Sequence, residues 1–149
     1  MATVTRRLPR LGGERGAELI EMAVALPLLL LVTMGIVDFG FLFQRYMVLT
    51  NAAMEAARIA VLPGYSATDI RQRASAYARA GGVPGTVTVT SASVSLPSPA
   101  GGSWPGVRVV VSHEYRYRYI GPILGLFGGT SLDSVRLTAQ STVRRQLGS

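Results

Sequence analysis

Cysteine and lysine are both missing from this chain of 149 residues, and histidine and tryptophan occur once each. Without cysteine there is neither a disulfide framework nor a thiolate metal site. Without lysine, a Walker-type phosphate loop, a Schiff base and a lysine nucleophile are excluded. The lone histidine, His113, lies among valines and tyrosines and reads as a packed residue. Zinc would need three or four ligands, which a single histidine cannot supply. Acids are also sparse. Beyond the apolar stretch described below only Glu55, Asp69, Glu114 and Asp133 remain, too scattered to form a paired-carboxylate site. Neither enzymatic activity nor a cofactor is expected.

All fifteen basic residues are arginine, and the net charge is +7. Such a charge can mark a nucleic-acid binder, but here its distribution argues otherwise. Arg6, Arg7, Arg10 and Arg15 crowd the start, and the rest are spread along the chain without a basic-aromatic module. Nucleic acid is therefore not an expected partner. The excess suits anionic envelope polymers or an acidic protein, with Arg116 and Arg118 as candidate surface-binding positions. The plainer reading of that row is a solvated strand face.

What the chain does have is a long apolar run. Met22 to Val37 carries no charge, and Ala23 to Phe43 makes twenty-one residues interrupted only by Asp38. As a helix that stretch spans about 31 Å, close to the hydrocarbon thickness of a bilayer. The arginines before it place its N-terminus on the cytoplasmic side. A cleaved secretory signal would have a shorter apolar region ending in small residues, whereas V-D-F-G-F-L-F follows here, so the segment is expected to be retained. Pro27 should kink the helix or loosen its hydrogen bonds, which membrane helices tolerate. Asp38-Phe39-Gly40 spells a kinase magnesium motif, but it sits inside the apolar run with no glycine-rich or catalytic-loop partner. Asp38 is expected to reach the headgroup region or another subunit.

Glu21 stands at the entrance of this run, where an ionised carboxyl costs up to about 2.5–3.5 kcal/mol near a bilayer centre and less at its edge. It is the fifth residue after Gly16, itself preceded by the basic segment. A basic leader, a glycine, a glutamate five positions on and an apolar helix resemble a prepilin cleavage signal. The resemblance implies a cut by a prepilin peptidase between Gly16 and Ala17, on the cytoplasmic side, with Glu21 pairing the new amine of a neighbouring subunit. The electrostatics of that pairing are sound, because an ammonium at Ala17 needs an acid at low dielectric. The alternative is that the spacing is chance and Glu21 reaches to the interface.

The helix should continue from Gln44 to Leu62, with Gln44, Asn51, Glu55 and Arg58 on one polar stripe and most of the remainder covered. Glu55 and Arg58 are spaced for an i,i+3 pair. Here E-M-A-V-A-L-P, I-V-D-F-G and T-N-A-A-M-E-A-A-R-I-A together resemble the N-terminal signature of TadE-like proteins of the Tad pili, a branch of the type IV pili. The resemblance covers Arg15 to Ala60. It implies a minor pilin or pseudopilin whose partners are the prepilin peptidase, other pilins, the membrane platform of a Tad system and the bilayer.

A second helix follows, capped by Ser66 or Thr68, with Asp69 in its first turn and Ile70, Ala74 and Tyr77 buried. Gly81-Gly82 stop it. The period then switches to two. Val87 and Val89 face inward, and a bulge is expected at Ser91–Ser93. Pro97 to Gly102 form a turn. Val107, Val109, Val111, His113, Tyr115, Tyr117 and Tyr119 share the inner face of a long strand. Val135, Leu137, Ala139 and Val143 repeat the pattern. Residues 120–129, apolar and glycine-rich, are expected to fold over the sheet as a loop, or else to touch the bilayer or the next subunit.

The expected architecture is α+β: a long N-terminal transmembrane helix continuing into a domain with a second helix and a three- or four-stranded antiparallel sheet. Residues 1–16 would be the leader, 17–43 the span and 44–149 the extracytoplasmic domain of a single-pass protein of the cytoplasmic membrane. The competing expectation is an uncleaved, signal-anchored envelope protein whose outer domain binds a partner or polymer.

Overall fold

A computed structural model describes residues 14–99, 101–126 and 134–145. Its first element, α1, runs from Glu14 to Ala60, 47 residues, and its helical assignment continues through Pro27. At about 1.5 Å per residue it is roughly 70 Å long, far more than the rest of the chain can cover. The helix accordingly has two halves. From Ala17 to Val37 nearly every residue is exposed, large aliphatic side chains included. From Asp38 onward one face is buried, through Leu49, Ala52, Ala53, Ala56, Ala57 and Ala60. The alanines keep that face thin, so a sheet and a second helix can approach the α1 backbone closely. Met47 is 53% exposed, so the cover is less complete than the sequence suggests.

Helix α2 (Ala67–Ala80) packs beside α1. Ser66 caps it: its side chain accepts from the Asp69 amide at 3.3 Å, while Asp69 Oδ2 accepts from the Ser66 amide at 2.8 Å. This reciprocal capping box satisfies backbone donors that the first turn leaves unpaired. Ile70, Ala74 and Ala78 form the buried stripe. Tyr77, expected inside, is 41% exposed, because the inward row advances by four from Ala74 to Ala78 and leaves Tyr77 at its margin. Gly81 ends the helix, and a Cβ there would overlap the Val48 side chain of α1, so its small size sets how closely the helices meet. Glu55 is bonded across that interface to Arg73, at 2.6 Å from Nη2, in place of the expected pair with Arg58.

The sheet is three-stranded and antiparallel, in the order β1 (Thr88–Pro97), β2 (Ser103–Arg116), β3 (Ser134–Arg144). Gly101 and Gly102, both at φ +84°, turn β1 into β2 in a conformation that side-chain-bearing residues seldom adopt. The expected bulge gives way to unbroken one-to-one pairing from Thr88 opposite Ser112 to Pro97 opposite Ser103. The pattern blurs because apolar residues change face. Val89 lies opposite Val111 on the helix side, whereas Val94 and Leu96 fall on the far side, where Leu96 lies against Gly106. Arg144 stacks over the Trp104 ring on that far side, 3.8 Å from its centroid.

On the helix side Val107, Val109, Val111, Tyr115, Leu137 and Ala139 are buried, as their alternation predicts. Burying a valine or leucine contributes about 1.5–3 kcal/mol, so the fully enclosed Leu49, Val109 and Val111 are the main apolar anchors. The whole is a two-layer α+β head: α1 over β2 and β3, α2 beside α1 and toward β1. A short helix, α3 (Ile120–Leu126), occupies the region expected to be a loop.

Candidate functional site: the N-terminal helix and its buried aspartate

Exposure is the first property of the α1 N-terminal half. An 18-residue window within Gly16–Ala60 has a mean hydropathy of 2.3, and none of it is buried. α1 is thus long and apolar enough to cross a membrane. The one hydroxyl in this half also fits an apolar setting, since Thr33 Oγ1 donates to the Leu29 carbonyl at 2.8 Å. Gly16 and Ala17 lie near the start of α1, and the space where a Gly16 Cβ would stand is open to 4 Å. Glu21 and Pro27 are exposed, and Glu21 has no ion-pair partner among the described residues. Arg15 falls in the first turn, while Arg6, Arg7 and Arg10 lie outside the described residues.

Asp38 differs from all of these. Its exposure is 0%, so in place of the expected outward contact with headgroups or another subunit it is turned into the chain's own fold. Its carboxyl oxygens accept three backbone N–H bonds: Arg118 to Oδ1 at 3.0 Å, Tyr119 to Oδ2 at 2.8 Å and Ile120 to Oδ2 at 2.7 Å. The Ile120 amide opens α3 and that of Tyr119 directly precedes it, where a helix has no intrahelical acceptors to offer, and Arg118 stands one residue further out. Asp38 therefore caps a helix eighty residues further along the chain. The Tyr115 hydroxyl donates to the Asp38 carbonyl at 3.2 Å, fastening β2 to the same turn of α1. Burial pushes the Tyr115 phenol up from its ordinary range, and the Asp38 charge adds to that, while Arg45 and Arg118 pull the other way.

Gly35 lies one turn before Asp38, and a Cβ there would stand 3.8 Å from the Ile120 side chain. The α3 contact thus reaches into the apolar half of α1. Sequence reasoning missed this clamp. Its signal was the lone acid in an apolar run, which says that a partner is needed without saying which one. Arg116 and Arg118, the candidate surface positions, are both exposed near the end of β2.

An apolar helix half-free of the fold, with its other half clasped by a small α+β head, defines a membrane-anchorable protein with one N-terminal helix. Residues 16–58 of that helix match the family model described as TadE-like protein. The similarity lies wholly within α1 and leaves the head, from α2 onward, unmatched. No curated protein and no solved structure matched the chain.

Proposed function

We propose that this chain is a TadE-like minor pilin or pseudopilin that works in Tad pilus assembly. The observation that carries the reading is the coincidence of the TadE-like match with a helix whose apolar half is left uncovered by its own fold. A soluble domain would bury such a surface. In this reading residues 17–43 cross the cytoplasmic membrane once, with the N-terminus in the cytoplasm and residues 44–149 outside. A prepilin peptidase removes residues 1–16 at Gly16–Ala17, and Glu21 compensates the new amine of a neighbouring subunit. Pro27 and the Ala23–Phe43 surface pack against other pilins and the membrane platform. Asp38 contributes indirectly, by fixing the head on the helix that packs.

The decisive experiment is intact mass and N-terminal sequencing of the protein from native membranes, beside a Gly16→Ala variant. The open space around Gly16 makes that variant a test of processing and not of packing. An N-terminus at Ala17 that is lost in the variant is expected. An N-terminus at Met1 or Ala2, in cells with active prepilin peptidase, would leave an uncleaved anchor carrying a binding domain.

A further inference from the structure

Where the apolar half of α1 ends, an arginine-lined cleft begins. Arg45 stands two residues past Phe43, about 3 Å further along the axis. With Arg116 and Arg118 it lines a cleft of about 610 Å³, together with His113 and Tyr117. The cleft exists because β1 starts at Thr88, opposite Ser112, so β2 continues past its neighbour. The chain before β1 returns through Pro84 and Gly85, with His113 Nδ1 3.3 Å from the Thr86 carbonyl. Glu114 is the one acid on the wall, and its Oε1 already accepts from Ser134 Oγ at 3.0 Å. Among the described residues none of the three arginines is ion-paired, although Arg45 is half-buried.

Against the single carboxylate of Glu114, the three arginines leave the lining of the cleft net positive, and the arginine fork matches phosphate oxygens two at a time. We propose that this cleft binds the phosphate of an anionic phospholipid headgroup, held by Arg45 and Arg118, while Arg116, on the sheet face turned away from α1, adds positive charge. Its level on α1 favours a lipid over a soluble phosphate, because the cleft opens where the apolar surface stops. Tyr46 and Tyr119, both exposed at this level, suit the same interfacial zone. The inference rests on the membrane reading of α1 and extends it, giving the head a fixed depth and orientation at the bilayer surface.

The test uses the full chain in neutral detergent micelles doped with phosphatidylglycerol or phosphatidylcholine, with retained lipid counted by native mass spectrometry. Phosphatidylglycerol should be retained over phosphatidylcholine. Each arginine removed should weaken retention about fivefold, so Arg45→Gln combined with Arg118→Gln should lose more than tenfold. Arg71→Gln, on α2, should change nothing, and Arg118→Lys, which keeps the charge without the fork, should fall between wild type and Arg118→Gln. If the double variant loses its circular dichroism, Arg118→Gln alone, at an exposed position, carries the fivefold expectation. Equal retention of phosphatidylglycerol by wild type and these variants overturns the proposal. So does arginine-dependent binding of inorganic phosphate without any lipid preference. A wild-type chain that stays soluble without detergent would overturn the membrane reading as well, an outcome distinct from the other two.

Discussion

Asp38 is an acid whose side-chain partners are all backbone N–H groups. That makes it a structural acceptor, and its removal strands donors at Arg118, Tyr119 and Ile120. A buried donor left without a partner costs about 1–3 kcal/mol, so α3 should release before the full penalty for three accumulates. Asp38→Ala is expected to abolish amide-exchange protection at those three positions while protection at Val109 and Val111 persists. Asp38→Asn, which keeps one acceptor oxygen and adds an N–H₂ that faces the same donors, should fall between. Unchanged protection at Arg118–Ile120 in Asp38→Ala would show that the clamp does not hold α3.

At the scale of single elements, α2 shows how local chemistry sets a boundary. The Ser66–Asp69 box starts it, and Ser66→Ala should lower the stability of the head by about 1 kcal/mol. The hydrogen bonds from Ser66, side chain first and then backbone, hold the Asp69 carboxyl below the usual range. A depressed pKa means that the unfolded chain takes up the proton first. The contribution is therefore present above the ordinary aspartate range and is lost as pH falls through the lower, folded value. Thermal melts in a pH series should show the gap between wild type and Asp69→Asn closing as the pH drops below about 4. A gap that stays constant to pH 2 would mean that the box contributes nothing through charge.

For the whole molecule, the head and the apolar half of α1 are not independent. The boundary suggested by hydropathy falls after Phe43, yet Asp38, on the other side of it, bonds the start of α3, and Gly35 lies beside Ile120. A fragment beginning at Gln44 should retain the sheet and the α1–α2 contact, since Leu49, the alanine row and the Glu55–Arg73 bond are all kept. In that fragment Arg118 to Ile120 should exchange freely. Tyr115 would also lose its acceptor at Asp38, so its phenol should ionise nearer the ordinary tyrosine range than in the full chain. Exchange as slow as in the full chain would place the anchor of α3 within the head itself.

Periodicity and turn chemistry made the elements legible in the sequence. The apolar run, the Ser66 cap, the Gly81-Gly82 stop, the inward row Val107–Val109–Val111 and the strand pair Leu137–Ala139 are local signals, decided within a few residues by side-chain spacing and backbone preference. The TadE-like segment is local in the same sense, lying within one helix. What the sequence could not decide were matters of partnership. Glu55 had a cation at the right spacing on its own helix but bonds to Arg73 on another, because the packing of α1 on α2 brings that guanidinium closer. The apolar stretch at 120–126 carried no helical period, and becomes α3 beside an acceptor supplied from α1. Asp38 itself carried the cost of an acid among apolar residues, and only the tertiary structure brought the three donors that meet it. Spacing along a chain sets which face a residue joins, whereas a hydrogen-bond partner eighty residues away exists only once the sheet has folded back onto the helix.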